Sequence, residues 1–505
     1  MEESMLHIDG GCGLKKAEVS DKKQDFLRMT SIETVGTDWP YPSATIDVLP
    51  DDVLLETFEF YLGKDDAGEI GYNYDGWQTL AHVCRRWRCI VFASPCRLDL
   101  KLFCTRQRSV NSKTLDIWPE LPIVIFAKDL RSKEEVTNVM AALRHHNRVC
   151  KIYYHNRQFD DSLLKEFAAI DEPFLALTTL KLFSFGKHAP VLPDSLLGGS
   201  APRLRSLHLN GIPYPSIGKL LLSTTDLVRL SLWRIPPSGY IASETIVPLL
   251  SALSRLESLA LGLQRPRSQT HRASRHPPPL TRVVFPNLNL FTFAGDVEYL
   301  EDIVSQIEAP IVSRGYFCFF NQLVFDTPLL GQFIRRTEPF MIIHTARVYF
   351  SSFVVGVRLL GREETDNDDR EALELEISCK PLDWQLSALA QVFNSLSSSF
   401  LTLENLNIVV SREDRQDKIG TTQWREFLHP FASVKNMTLQ FKGSVGLVAP
   451  ALQELSEERA TEVLPALQNL FLRTYGWRPS GPVKQAIEQF ITTRQLHGHP
   501  VTVQY

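Results

Sequence analysis

The sequence of 505 residues predicts an α/β protein in which a small three-helix domain precedes a long array of strand–helix repeats. Two observations support this prediction. Between residues 44 and 96, apolar side chains recur at helical spacing in three short runs. Beyond them the pattern Leu-x-x-Leu-x-Leu occurs five times, with helical stripes between copies. A strand followed by a helix, many times over, is the unit of a curved solenoid.

Composition is that of an ordinary globular chain, with 44% hydrophobic and 22% charged residues. The net charge of −4 gives no electrostatic argument for binding nucleic acid or an anionic membrane. No run is long and apolar enough to span a bilayer, and the polar N-terminal stretch lacks the apolar core of a secretion signal. The eight cysteines form no Cys-x-x-Cys pair, so reduced thiols and a cytoplasmic or nuclear location are expected.

Three segments are predicted. Residues 1–43 are polar and mixed in charge, which is typical of a disordered leader. Residues 44–96 hold the helical runs, and residues 97–505 hold the repeats.

The first helix of the small domain is predicted to begin at Pro50, because the missing N–H of proline would be unpaired at that position anyway. Asp51 and Asp52 follow in the first turn, where the helix dipole favours negative charge. Gly63 is a plausible end. A second stripe runs from Trp77 to Cys84. A third continues until Ser94-Pro95, since the residue before a proline disfavours helix.

A Leu49-Pro50 pair opening an acidic, then apolar, helix, followed by Val83-Cys84-Arg85-Arg86-Trp87, resembles an F-box. In that family the Leu-Pro end and the apolar helix residues insert into a Skp-type linker protein, which in turn binds a cullin. The resemblance therefore implies a linker-binding set carried over position by position: Leu49, Pro50, Val53, Leu54, Phe58, Leu80, Val83, Cys84 and Trp87. Cys84 is expected to act as a small hydrophobe and not as a nucleophile.

The connection formed by residues 63–76 is longer than a typical F-box has. Versions with such an insertion resemble the expanded F-box families of mushroom-forming fungi. The insertion also leaves open a repeat scaffold that keeps an F-box-like segment without assembling a ligase.

Strict copies of the leucine pattern begin at residues 177, 204, 227, 256 and 467, and degenerate copies begin at residues 288, 403 and 434. This irregular spacing is similar to that of leucine-rich repeats, with the strands forming a parallel sheet on a concave face. A compact α/β domain with leucine-rich strands is the alternative. Positions between the leucines would face outward and bind another protein, and the candidates are Arg205, His208, Arg229 and Trp233.

The chain has no Gly-x-Ser-x-Gly elbow and no His-Glu-x-x-His helix, so no catalytic residue, metal or cofactor is predicted. The resemblance implies a substrate-recognition adaptor of a cullin–RING (SCF-type) ubiquitin ligase. The F-box would bind the linker, and the solenoid would present a protein target to a separate enzyme, so that catalysis rests on proximity. The non-ligase scaffold and an unrecognised α/β enzyme remain as alternatives.

Overall fold

A computed structural model describes fifteen segments of the chain: residues 46–62, 76–105, 121–130, 132–156, 162–186, 189–266, 281–322, 324–341, 343–361, 372–379, 382–396, 402–410, 421–459, 463–474 and 476–505. The predicted leader and all but the last residue of the inserted connection lie outside the described residues. The chain divides into two compact units, Met1–Leu98 and Asp99–Tyr505.

In the smaller unit, a short 3-10 turn at Ile46–Val48 precedes three helices, α1 (Asp51–Leu62), α2 (Gly76–Val83) and α3 (Arg85–Ala93). Extended backbone at Cys84, with φ −154° and ψ 171°, separates α2 from α3. The Cys84 sulfur caps α3 by accepting a hydrogen bond from the Trp87 N–H at 3.4 Å.

The smaller unit has its own apolar core. Leu54, Phe58, Leu80 and Val91 are each at most 5% exposed. The Phe58 ring lies 4.8 Å from the Trp87 ring, which joins α1 to α3. Each of the three helices therefore packs its stripe of apolar side chains against the other two helices.

The larger unit is built on a 16-stranded sheet with the order β1-β2-β3-β4-β5-β6-β7-β9-β11-β14-β13-β12-β15-β16-β17-β18, and β8 pairs with β10 in a separate two-stranded sheet. The strands are β1 (Leu102–Thr105), β2 (Ile123–Lys128), β3 (Val149–Asn156), β4 (Thr179–Ser184), β5 (Ser206–Asn210), β6 (Arg229–Ile235), β7 (Ser258–Leu263), β8 (Val283–Val284), β9 (Leu290–Gly295), β10 (Ile307–Glu308), β11 (Arg314–Phe319), β12 (Thr345–Phe350), β13 (Val354–Leu360), β14 (Ala372–Ser378), β15 (Asn405–Val410), β16 (Asn436–Gln440), β17 (Asn469–Arg473) and β18 (Thr502–Gln504).

Ten helices of the larger unit lie within the described segments: α4 (Lys133–Leu143), α5 (Ser162–Ala168), α6 (Gly218–Ser223), α7 (Ser243–Ser251), α8 (Val297–Gln306), α9 (Pro328–Arg336), α10 (Leu382–Leu396), α11 (Thr421–Leu428), α12 (Phe441–Arg459) and α13 (Gly481–Leu496). The α/β class predicted from the sequence is confirmed. No helix in the described ranges is long and apolar enough to cross a membrane.

The leucine pattern accounts for the buried side of the sheet. The second and third leucines of each strict copy lie two residues apart in a strand and are buried, because alternate residues of a strand point to one face. Leu180, Leu207, Leu230, Leu259 and Phe291 are aligned across five neighbouring strands. Aligned apolar side chains of this kind fix the register, since a slip by one residue would expose them all.

The expectation of a wholly parallel sheet is wrong at one strand. β13 is antiparallel to both of its neighbours, β12 and β14. Only three residues, 351–353, join β12 to β13, and so short a connection permits a hairpin but not the long crossover that parallel strands need. The Ser351 N–H closes this turn by donating to the Val354 carbonyl at 2.9 Å.

Candidate functional site

The Leu-Pro start of α1 is held by one arginine of α3. Arg86 Nη2 donates to the Leu49 carbonyl at 2.5 Å and to the Asp51 carboxylate at 2.6 Å, and its Nε donates to the same carboxylate at 3.1 Å. The contact joins the turn before α1 to the first turn of α3. A guanidinium with several donors in a fixed fork orients this turn better than a single ammonium would.

Apolar side chains at this end of the small unit are exposed. Leu49 is 40%, Val53 41% and Val83 56% exposed, and Pro50 is exposed as well. Leu49 and Pro50 adjoin the Arg86 contact in sequence, and Val83 lies three residues before Arg86. Exposed apolar clusters of this kind mark interaction sites on otherwise soluble surfaces.

Other members of the predicted linker-binding set lie inside the unit. Leu54 and Phe58 are 1% exposed and Leu80 is 5% exposed, while Cys84 and Trp87 are half-buried. The buried three pack the helices together and thereby hold the exposed residues in place.

Sequence reasoning missed Phe60. Its side chain is 91% exposed on α1. Phe60 follows Val53 by seven residues, two helical turns, and therefore lies on the same side of the helix. That spacing was available in the sequence, but Phe60 stands in the mainly apolar run Phe58-Glu59-Phe60-Tyr61-Leu62, where the pattern does not show which ring is exposed. We define the docking face as Leu49, Pro50, Val53, Phe60 and Val83.

The second predicted surface lies on the larger unit. We call the strand positions that alternate with the buried leucines the open face of the sheet. His208, Arg229 and Trp233 occupy it, with His208 aligned between Lys181 and Ser231 of the neighbouring strands. Arg205 instead lies one residue before β5, where its N–H donates to the Thr178 carbonyl at 2.9 Å, and its side chain is exposed.

Aromatic rings lie side by side on the open face of β2 to β5. The Phe126 and Tyr153 centroids are 6.0 Å apart, those of His155 and Phe183 are 5.5 Å apart, and those of Phe183 and His208 are 4.6 Å apart. The Lys181 ammonium lies 5.4 Å from the Tyr153 ring centre, which is a favourable position for a cation over a ring. The rings form two groups, Phe126 with Tyr153 and Phe183 between His155 and His208, and Lys181 lies beside the first group.

His208 is neutral at physiological pH. Burial, reinforced by the positive charge of the nearby Lys181, lowers the pKa of His208 to about 4. Its Nε2 atom is buried and has no hydrogen-bond partner in the described part of the chain. The same holds for Oδ1 of Asn210, two residues further along β5.

Trp233 lies on the next strand, β6, where it is aligned with Asn210. A Cβ atom at Gly262 of β7 would lie 2.6 Å from Cε3 of the indole, so the ring rests on the bare backbone of the glycine. Next to it, Arg234 has a φ of 50°, in the left-handed region that few side chains adopt, at a register shift between β6 and β7. Its guanidinium carbon lies 5.6 Å from the Phe185 ring centre.

A polar cluster occupies the open face where the sheet reverses. The Tyr349 hydroxyl lies 3.0 Å from a Glu374 carboxylate oxygen and 2.5 Å from one of Glu376, and Tyr316 also donates to Glu376. Arg358 donates to Glu374 at 3.1 Å. Burial, reinforced by the two carboxylates, raises the pKa of both tyrosines far above their usual range. The tyrosines therefore act as hydrogen-bond donors and stay protonated.

The described part of the chain has features that bear on metal binding and on catalysis. It contains no group of three or more His, Cys, Asp or Glu residues suited to hold a metal. A cavity beneath β2 and β3 is lined by apolar side chains, among them Ile125, Leu143, Ile152 and Phe167, with Tyr154 as its one phenol. That lining offers no acid, base or nucleophile pair.

Comparison of the chain with known protein families gave no match, and no curated protein sequence matches it significantly. The evidence about the function of the chain therefore comes from its residues and its geometry.

Proposed function

We propose that the chain is a substrate-recognition adaptor of a cullin–RING (SCF-type) ubiquitin ligase, with an F-box as its smaller unit and an irregular leucine-rich-repeat-like solenoid as its larger one. The docking face would bind a Skp-type linker, and the open face of the sheet would bind a protein target. The chain would supply no catalytic group, and it would act in the cytoplasm or the nucleus.

The exposed docking face is the observation that carries the linker proposal. Val53 and Phe60 on α1 and Val83 at the end of α2 present apolar surface to solvent although the unit has a complete core beneath them. Leaving such side chains in water forfeits about 25 cal/mol for each Å² of apolar surface that a partner would cover. A bound linker offers the burial that the unit itself does not provide.

The solenoid proposal is supported by sheet order. From β1 to β7 every strand pairs in parallel with the next strand in sequence, as stacked strand–helix repeats require. The hairpin at β13 is one interruption of this order.

The linker proposal is tested by binding of the full chain to a purified Skp-type linker, measured by isothermal titration calorimetry. The variant combines Leu49→Ala, Val53→Ala and Val83→Ala, three changes at exposed positions that leave the core intact. We expect affinity to fall by about 30-fold or more, since truncating the apolar centre of an interface costs about 2 kcal/mol or more.

The matched control combines Leu175→Ala, Leu222→Ala and Val284→Ala, at positions 53%, 60% and 56% exposed in the larger unit. This control should bind the linker as tightly as the unmodified chain does. An unmodified chain that fails to bind any Skp-type linker would refute the ligase role and leave a non-ligase interaction scaffold. A docking-face variant that binds normally would refute the assignment of the face.

A further inference from the structure

We infer that the target bound by the open face is an acidic peptide segment that carries an apolar side chain, and that it binds across strands β3 to β6. This inference rests on the proposed function, because it names the chemical class of the target that the larger unit would select. The aromatic–basic patch that would bind it consists of Lys151, Tyr153, His155, Lys181, Phe183, Phe185, His208, Asn210, Arg229, Trp233 and Arg234.

Charge is the first argument. Open-face positions of β3 to β6 hold Lys151, Lys181 and Arg229, and none of them holds Asp or Glu. Arg234 adds a fourth cation at the edge of the patch. One acidic group, Asp129, follows β2 and lies 3.8 Å from His155 at the edge of the patch. A chain with net charge −4 that gathers cations in one place presents a local positive field to an acidic partner.

The unpartnered polar atoms are the second argument. The buried Nε2 of His208 and Oδ1 of Asn210 have no hydrogen-bond partner within the described residues. Buried polar groups are costly unless they are hydrogen-bonded, and peptide backbone amides and carbonyls are suitable partners. Both atoms belong to β5, in the middle of the patch, so a crossing segment that displaces the neighbouring side chains would bring its backbone groups to them.

The third argument is the apolar side chain of the target. Trp233 lies against Gly262, and the open face beyond it carries the small residues Ala260 and Ala294. A leucine-sized or aromatic side chain of the target could therefore bind beside the indole, because the alanines leave space there. Tryptophan with an adjacent arginine is a typical centre of binding energy in protein interfaces.

The size of the patch fits a short segment. Neighbouring strands lie about 4.8 Å apart, so β3 to β6 span roughly 14 Å, the length of about four extended residues. Single-stranded nucleic acid fits less well, because base stacking needs accessible ring faces. Here Phe183 is flanked by His155 and His208, and the Tyr153 ring lies beneath Lys181.

The test is selection of peptides from a random display library on the immobilised full chain. We expect enriched peptides to contain Asp or Glu together with a leucine or an aromatic residue. A synthetic copy of the most enriched peptide, measured by fluorescence anisotropy, should bind at least tenfold more weakly to Lys181→Glu with Arg229→Glu. Its binding should also weaken as salt rises, because the attraction between the charges is screened.

The charge-matched control is Arg473→Glu with Lys484→Glu, two exposed cations outside the patch. This control should bind the peptide within about twofold of the unmodified chain, as expected for charges well beyond the Debye length of about 8 Å. Trp233→Ala serves as a second patch variant, and thermal unfolding confirms that each variant is folded.

Enrichment of neutral or basic peptides, no enrichment, or unaltered binding to the charge-reversed patch would overturn the inference. A labelled single-stranded oligonucleotide that binds the patch more tightly than the peptide would overturn it as well. No linker protein takes part in this experiment, so its failure is distinguishable from failure of the linker titration.

Discussion

Replacement of Gly356 by alanine is predicted to destabilise the protein because the Tyr349 side chain crosses directly over this glycine. A Cβ atom at position 356 would lie 2.3 Å from the Tyr349 hydroxyl oxygen and 2.4 Å from Cζ, distances at which one group must move. The ring passes over β13 in order to reach Glu374 and Glu376 on β14. The change Gly356→Ala therefore displaces the tyrosine from both carboxylates.

The expected cost follows from the bonds that are lost. A hydrogen bond to a charged group contributes about 1.5–3 kcal/mol, and the displaced ring also loses packing, for a total of about 3 kcal/mol. Alanine favours strand conformation over glycine by roughly 0.5–1 kcal/mol, which offsets part of the loss. We expect Gly356→Ala to lower the free energy of unfolding by about 2 kcal/mol, measured in urea by circular dichroism.

A double-mutant cycle tests the reasoning directly. In a Tyr349→Ala background the clash is gone, so Gly356→Ala should be neutral or stabilising by up to about 1 kcal/mol. The coupling energy between the two positions should then be about 2–3 kcal/mol. If Gly356→Ala destabilises both backgrounds equally, or is tolerated in the unmodified chain, the crossing tyrosine is not the cause.

Two further outcomes concern the open face of the sheet. The pKa of His208 is lowered from an ordinary value of 6.5 to about 4. The stability that the neutral His208 side chain contributes is therefore fully present above pH 6.5 and is lost as the pH falls toward 4. His208→Asn should remove up to about 3 kcal/mol of this acid sensitivity, measured by urea titrations at about pH 4 to 7, because a shift of one pKa unit corresponds to about 1.4 kcal/mol. A variant whose stability falls with pH as steeply as that of the unmodified chain would contradict the assignment. Asn436 accepts from Asn469 at 2.8 Å and donates to Asn405 at 2.9 Å, so Asn436→Ala should cost about 1–2 kcal/mol in the same assay. Asn287 is exposed and donates to the Ser254 carbonyl, so Asn287→Ala is the control. If Asn436→Ala lowers the free energy of unfolding no more than this control does, the row of Asn405, Asn436 and Asn469 does not stabilise the sheet.

Local patterns predicted the strands that carry a leucine copy, because each copy has its own periodicity, whereas β11 to β14 carry no such copy. The copy beginning at Leu204 was sufficient to place Leu207 and Leu209 on the buried side of β5. The reversal at β13 was not predictable in this way, since Val354 to Leu360 alternates no differently from a parallel strand. What sets its direction is the short connection 351–353, whose length matters only once the strands on both sides are known.

Only part of the aromatic–basic patch could be predicted, because alternation along one strand does not show which residues lie on the neighbouring strands. His208, Arg229 and Trp233 were identified as outward positions from alternation alone. Phe183 and Lys181 obey the same alternation, but their role depends on rings and charges from neighbouring strands that lie more than twenty residues away in sequence. The unpartnered atoms of His208 and Asn210 are a property of packing and have no sequence signal.

The small unit shows why exposure must be known before a docking variant is chosen. Leu49, Val53, Leu54 and Leu80 are all apolar and all belong to helical or cap positions, so the pattern cannot separate partner contacts from core. The structure separates them, with Leu54 1% and Leu49 40% exposed. Truncation of Leu54 to alanine would cost about 2–5 kcal/mol in a small unit and would abolish linker binding by unfolding it. Loss of binding by that variant would therefore say nothing about the interface, whereas loss of binding by folded Leu49, Val53 and Val83 variants identifies the contact itself.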